Sequence, residues 1–548
     1  MTQKNFTLLL LVSLIIVLTS CSSNEDILIS KNPEMTTFPA PVELQRDTTI
    51  IDLSGYLRHP KKIDSVFLNK GISCTFSADS MQLKLFLQDK NIPRLSTIKI
   101  YSDGYPYWIL LKKSEKIWYK FIFDPGNTSY NHVELVGDMN NWTTGKNPLS
   151  YKDGKWQTDL FLFPGRYEYH LLLDGKQVPD PSDPDKTEGM YGGWNSYFKA
   201  GNLYSPGAPY LYTLKAEKEK VSIGIQNKNK WIFVFWQNHH LDSTFWKPDS
   251  NGISIRIPRK AKDFDRSFLH VLSYNNSGIS NTLLIPVIDG KVLTDPADLT
   301  REDHEAMIIY NLMIDRFFNG NTQNDLPVKD SLVDKRLNFM GGDLPGILDK
   351  IEENYFTNLG VNTLWISPVA SAPADAWPDF SQNFRKSTGY HGYWPVSLSA
   401  VEKRFGTADD LKSMVEEAHS KDLNVLLDMV SNRLHKSSVL YQQNPGWFTP
   451  PLLTNKKKNV RLWKEQPYTT WFDDFLPTLD LSNEEVTSMM SDSAIYWIKA
   501  FELDGFRHDA INHVSDAYWK MLTRKLQENI IIPDKHPVFQ IGEDFGTR

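Results

Sequence analysis

The C-terminal half of this chain alternates short apolar runs with amphipathic helical repeats, and that alternation leaves few folds open. The apolar runs are Met307 to Ile314, Val361 to Ile366, Asn424 to Val430 and Asp504 to Asp509, with Val538 to Glu543 after them. Between the first two, Leu344, Ile347, Leu348, Ile351, Tyr355, Phe356 and Leu359 recur at spacings of three and four. Between the next two, Leu411, Met414, Val415 and Ala418 do the same behind a Thr407-x-x-Asp410 helix-start signal. Strands separated by helices pair in parallel, so the predicted fold is a parallel sheet or a barrel, with its chemistry at the C-terminal ends of the strands.

Two carboxylates stand at such ends. If Leu503 to Asp509 is a strand, its period of two puts Arg507 and Asp509 on one face and Phe506 and His508 on the other. A guanidinium beside Asp509 keeps that acid ionised, and an ionised Asp509 raises the pKa of Glu543, at the end of Val538-Phe539-Gln540-Ile541-Gly542. Two carboxyl groups with separated pKa values are the minimum equipment of a glycosidase, one as nucleophile and one as proton donor. Strand-end acids are common, so the pair alone carries little; the surrounding motifs decide.

From Met307 to Arg548 the chain reads, in order, YNLMIDRFFNGN, GVNTLWISP, GYHGYWP, FGTADDLKSMVEEAH, LLDMVSN, FLPTLD, GFRHDAINH and IGED. This series resembles glycoside hydrolase family 13, the α-amylase family, in its neopullulanase and cyclomaltodextrinase-like branch. The resemblance implies a (β/α)8 TIM barrel in which Asp509 is the nucleophile, Glu543 the general acid/base and Arg507 the residue that orients the nucleophile. It implies substrate contacts from Tyr393 and His391, and from Asn512 and His513 on the leaving-group side.

The chain departs from the family pattern in three places. Arg433 stands where the third-strand motif has a sugar-contacting histidine, with His435 two residues on as the alternative imidazole. Thr478 replaces an aspartate of calcium-binding amylases, which takes a ligand from an interdomain calcium site that would also use Asn432. The family's third catalytic carboxylate, after the seventh strand, has no counterpart before Arg548. Although residues 300–548 approach the roughly 250 of a complete barrel, the motifs cover only about strands one to five, lengthened by an excursion at about 434–481. The expectation is a C-terminally truncated fragment with little or no activity as it stands, its unclosed sheet leaving an edge open.

A second cluster is separable from this chemistry. Asn319-Gly320-Asn321-Thr322-Gln323-Asn324-Asp325, joined later by Gly341-Gly342-Asp343, is either a Ca²⁺ loop of hard oxygen donors or a polar turn rich in Asn and Gly. Its resemblance to the calcium loop of cyclodextrin glucanotransferases implies Asn319, Asn321, Asn324, Asp325 and Asp343 as side-chain ligands and Gly341 through its carbonyl. No zinc or redox-metal pattern occurs.

The N-terminus supplies an address. Lys4 precedes an apolar run from Phe6 to Leu18, too short for a comfortable membrane span, and Leu18-Thr19-Ser20-Cys21 closes it. The tetrad resembles a bacterial lipobox. It implies a signal peptide over 1–21, lipidation of Cys21 and a tether over 22–47 like those of Bacteroidetes outer-membrane lipoproteins, facing the cell surface or the periplasm. An ordinary secretory signal is the other reading. The only other cysteine is Cys74, so the mature chain has no intrachain disulfide to form. A net charge of −6 excludes the basic footprint of a nucleic-acid binder.

Between tether and barrel the sequence is strand-like and turn-punctuated, and too long for one small domain. Residues 48–115 read as an immunoglobulin-like β domain and 204–299 as a β-sandwich. In 116–203, VELVGDMNNW, GKWQTDLFLFPGRYEYHLLLDG and GGWNSYF resemble family 48 carbohydrate-binding modules, with Trp142 and Asn195 on sugar-contacting positions. His170 stands where a lysine is usual and Gln177 where a second tryptophan is expected, so this module binds starch weakly or packs against the catalytic domain. The whole reads as a retaining α-glucan hydrolase cleaving starch, pullulan or maltodextrins, held to a membrane only by lipid. The alternative is a non-catalytic α-glucan-binding surface lipoprotein.

Overall fold

The computed structural model describes residues 39–544, apart from 58, 90, 141, 190–192, 203–205, 228–230, 379–385, 464 and 535. The expected signal peptide, Cys21 and most of the expected tether lie outside the described residues. Among the described residues, no helix is long and apolar enough to cross a membrane. The chain divides into two compact units, one formed by residues up to Glu115 with Asn202–Asp298, the other by Lys116–Gly201 with Leu299 onward.

In the first unit, a four-stranded sheet runs in the order Val42–Leu44, Tyr105–Lys113, Leu95–Ser102, Ile63–Phe67, accompanied by a three-stranded sheet of Thr48–Asp52, Gln82–Leu87 and Ile72–Phe76. Alternation along Leu95–Ser102 buries Ile98 and Ile100 on one face, as period-two sequence dictates, and leaves Leu95 to the opposite face. The 202–298 segment has a four-stranded sheet through Lys220–Gln226 and a five-stranded sheet centred on Arg266–Tyr274, around a core containing Ile223, Val234, Trp236 and Leu269. These two segments share a smaller core of Leu95, Leu110, Phe235, Leu272 and Tyr274, which joins sequence-distant pieces into one unit.

In the second unit, residues 116–201 form a three-stranded and a five-stranded sheet around Phe121, Leu135, Tyr169 and Phe198. The remainder is built on five parallel strands hydrogen-bonded in sequence order: β1 Ile309–Leu312, β2 Thr363–Ile366, β3 Asn424–Met429, β4 Gly505–His508 and β5 Phe539–Gly542. The connecting helices are α1 Leu344–Glu352, α2 Ala408–Ser420, α3 Glu484–Phe501 and α4 Asp516–Leu526. Their apolar faces, including Ile347, Met414, Ala494 and Leu522, pack with Leu364, Val425 and Phe506 of the strands in one core.

Local chemistry explains the boundaries. The Thr407 side chain accepts from the Asp410 amide while the Asp410 side chain accepts from the Thr407 amide, a complete capping box at the start of α2. The apolar repeat from Leu344 to Leu359 does not give one helix. It breaks into α1 and the single turn Tyr355–Asn358 because Asn354, at φ +58°, adopts the left-handed conformation that asparagine tolerates. Gly505 is required where β4 meets β5, because a Cβ there would lie 1.9 Å from the Phe539 carbonyl oxygen.

Candidate active site

β4 delivers two charged residues to one side of the sheet, as its alternation requires. Arg507 is 6% and Asp509 7% exposed, and Arg507 Nη1 donates to Asp509 Oδ1 at 3.1 Å. His508 faces the other way. Its Nε2 meets Gln540 Oε1 at 3.1 Å and its ring packs edge-on against Trp519 of α4. Directly after β5, the Glu543 amide donates to the His508 carbonyl, and Glu543 Oε2 accepts from the Ala510 amide at 2.9 Å. Arg507 Nη2 lies 2.7 Å from Glu543 Oε1. One guanidinium therefore spans both carboxyl groups.

Electrostatics separate the two acids. Burial opposes ionisation of Asp509, but Arg433 and Arg507 outweigh it and hold that carboxyl below its ordinary value. Burial raises Glu543, and the Asp509 charge beside it raises it further. The proximity of the two carboxyl groups acts in opposite senses on them, lowering Asp509 and raising Glu543, and so widens their separation. At intermediate pH the pair therefore holds one ionised acid and one protonated acid.

Asp428, at the inner end of β3, fixes the guanidinium from behind. It accepts from Arg507 Nη1 at 2.7 and 3.0 Å, from the Tyr393 hydroxyl at 2.7 Å and from Trp365 Nε1 at 3.1 Å. Burial pushes its carboxyl up to about 6 despite Arg507. Burial and the Asp428 charge also push the Tyr393 phenol up, so it remains a donor. His391 packs against Tyr393 and accepts from its amide through Nδ1.

Arg433 does not point at open space. Its Nη2 lies 2.8 Å from Asp509 Oδ2, and its guanidinium covers the Phe472 ring at 4.1 Å. His435 offers no substitute imidazole, because its Nδ1 accepts from the Ser437 amide and the ring is wedged against Trp377 and Phe475. Burial drives its pKa down to about 4. His513 donates through Nδ1 to the Pro467 carbonyl and lies against Trp463 and Phe472. Asn512 reaches Asp544 instead of the carboxylate pair.

Thus Asp509, Glu543, Arg507 and Arg433 converge, with Tyr393 joined through Asp428 and His513 through Phe472. Trp142 and Asn195 sit in the 116–201 module. There Trp142 Nε1 donates to Asp138, Asn195 donates to Glu168, and His170 packs edge-on against Trp142. Sequence reasoning assigned no role to Asp428, Trp365, Trp463 or Phe472. Asp428 carried a signal, a lone acid in a strand that is buried along its whole length. Trp463 and Phe472 carried none, because the irregular 434–481 excursion places them.

The cluster at 319–343 forms a compact loop. Asp343 caps α1 and is fully engaged, with Oδ1 accepting from the Gly320 and Gly346 amides and Oδ2 from the Asn321 amide and Asn324 Nδ2. Asn319 donates to both oxygens of Asp325, and Asn321 Oδ1 accepts from the Gln323 amide. Gly341, at φ +91°, lies so close that a Cβ would fall 2.3 Å from Asp325 Oδ1. Asn319 Oδ1 and Asn324 Oδ1 are buried with no hydrogen-bond partner. Among the described residues, no three or more His, Cys, Asp or Glu gather to hold a metal, so a cation here would draw on amide and carbonyl oxygens besides the Asp325 carboxylate.

Residues 311–537 match the alpha amylase catalytic domain. This amylase-type region is 30% identical over 227 residues to alpha-amylase 2 of Dictyoglomus thermophilum, covering 41% of this chain and 35% of that protein. It is 27% identical over 261 residues to an intracellular maltogenic amylase of Bacillus subtilis, covering 44% and 38%. A crystal structure of an Anoxybacillus alpha-amylase is 31% identical, with a TM-score of 0.37, covering 45% of this chain and 48% of that one. The chain spans well under half the length of these two curated relatives. The amylase-type match contains β2, β3 and β4 and includes Arg433, Arg507 and Asp509; Glu543 follows it.

Proposed function

We propose that the amylase-type region is the catalytic part of a retaining α-glucan hydrolase with a (β/α)8 barrel. The observation that carries this reading is Arg507 spanning a depressed Asp509 and an elevated Glu543. Asp509 attacks the anomeric carbon as Glu543 protonates the departing glycosidic oxygen. Glu543 then takes a proton from the water that releases the sugar from Asp509. One guanidinium reaching Asp509 at 3.1 Å and Glu543 at 2.7 Å holds the two carboxyl groups close together, which supports retention, since inverting pairs stand about 6.5–9.5 Å apart. Starch, pullulan and maltodextrins are the proposed substrates, in keeping with relatives named as alpha-amylase and maltogenic amylase.

Ca²⁺ is the proposed structural ion of the 319–343 loop. Two orphaned buried amide oxygens, the Asp325 carboxylate and the Gly341 carbonyl suit a hard cation. Asn319, Asn321, Asn324 and Asp325 would hold it, with Asp343 bracing the loop through the amides it already accepts. Bound Ca²⁺ would supply cross-linking of the loop to the start of α1. The 116–201 module is proposed to contact α-glucan at Trp142 and Asn195, and Cys21 to carry the lipid that holds the protein at the outer membrane.

The second reading is an α-glucan-binding protein without turnover, favoured by the contact of Arg433 with Asp509. Reducing-sugar release from starch, pullulan and cyclodextrin by the purified protein decides between them. Loss of release in Asp509→Asn supports the hydrolase. Sugar binding without release, unchanged in Asp509→Asn, supports the binder.

A further inference from the structure

Arg433 occupies a position that changes how Asp509 is held, and the consequence rests on Asp509 being the nucleophile. The two oxygens of Asp509 are divided between two guanidinium groups, Oδ1 to Arg507 and Oδ2 to Arg433. Arg433 comes from the segment after β3 and is itself immobilised. Its Nη1 donates to Asn432 Oδ1 at 3.0 Å, its plane rests on Phe472, and its backbone bridges to Thr478. At 5% exposure it cannot take its charge to water, and a buried guanidinium requires an acid partner.

We propose that Arg433 is a second positioning residue for the nucleophile, fixing Asp509 Oδ2 and keeping the carboxylate ionised in a site that otherwise gathers acids. The charged and titratable groups facing Asp509 are Arg507, Asp428, Glu543, Tyr393, His513 and Arg433 itself. Two of these are fixed cations and two are carboxyl groups, so losing Arg433 leaves Arg507 shared among three acids. The same two cations make Asp509 a weaker base and a better leaving group. Arg433 therefore slows formation of the glycosyl-enzyme and speeds its breakdown relative to an enzyme with a neutral side chain here.

The test combines stability and labelling. Unfolding midpoints are measured from pH 7 downward for the wild type, Arg433→Gln, Arg433→Lys, Asp509→Asn and the Arg433→Gln/Asp509→Asn double variant. Because Asp509 lies below its unfolded value, its stabilisation is present at neutral pH and disappears as pH falls through its folded value. Arg433→Gln is expected to move that loss upward by about one pH unit, Arg433→Lys by less, and the pH-dependent part to vanish in the Asp509→Asn background. A cost of Arg433→Gln that is equal at all pH values, or that persists in Asp509→Asn, overturns the inference.

Alkylation by a glucose-configured epoxide, followed by peptide mass spectrometry, supplies the catalytic readout. Its acidic limb is expected to shift upward in Arg433→Gln by the same interval as the stability profile. An unmoved limb overturns the positioning role. Labelling of a residue other than Asp509, with the stability coupling intact, overturns the nucleophile assignment on which this rests and leaves the Arg433–Asp509 pair as a structural contact.

Discussion

Replacing Arg507 with glutamine should destabilise the protein strongly at pH 8 and much less at pH 5. Arg507 serves three carboxyl groups at once: Asp428, whose side chain is fully buried, Asp509 and Glu543. Asp509 keeps Arg433 in the variant, whereas the ion pair of Asp428 is the one with Arg507. Burial already raises Asp428 to about 6 with the guanidinium in place. An acid raised in the folded state is stabilising while protonated, below its unfolded value, and that contribution is lost as pH rises through the folded value. Without Arg507 the folded value climbs further, by about 1.4 kcal/mol for each pKa unit. At pH 8 the variant must therefore bury an unpaired carboxylate or hold a proton against the solvent, a cost of about 3–5 kcal/mol. For a domain of this size that corresponds to a fall in Tm of about 10 °C. At pH 5 Asp428 is protonated in both proteins, and less than half of the loss should remain. Thermal unfolding followed by circular dichroism at the two pH values is the assay. An equal loss at both, or a loss below about 2 °C at pH 8, would refute the electrostatic reasoning.

Three further outcomes follow from particular contacts. Gly505→Ala forces β5 away from β4, because the new methyl meets the Phe539 carbonyl at 1.9 Å; it should misplace Glu543 and cut turnover at least tenfold, read as kcat on maltooligosaccharides. Asp504→Ala strips the partner from Arg301 Nη1, His419 Nε2 and the Val425 amide. That should lower stability by about 3 kcal/mol in urea unfolding without moving the pH dependence of activity. The pH–rate profile should rise as Asp509 ionises at its depressed pKa and fall as Glu543 loses its proton above its raised one. Glu543→Gln should abolish the alkaline limb, and a profile unchanged by that substitution would remove Glu543 from the proton-transfer role.

What the sequence disclosed and what it withheld divide along physical lines. Periodicity located all five parallel strands, because a buried parallel strand is an apolar run and an intervening helix is an amphipathic one. Period two also placed Arg507 and Asp509 on one face, where the structure has them 3.1 Å apart. The contact of Arg433 with Asp509 was not legible, since it depends on the path of the chain after β3 and on Phe472, which the irregular excursion supplies. Nor was the break at Asn354, where one left-handed residue interrupts an otherwise continuous helical repeat. The joining of the first β segment to the 202–298 segment rests on side chains far apart in sequence, such as Leu110 and Phe235. Local pattern carries no such information.

The central claim is that Asp509 forms a glycosyl ester and Glu543 resolves it. Its most direct test is proton NMR of the anomer first released from a maltooligosaccharide by the purified protein. The account predicts the α anomer first, before mutarotation, and no product from Asp509→Asn; release of the β anomer first, or full activity in Asp509→Asn, would contradict it.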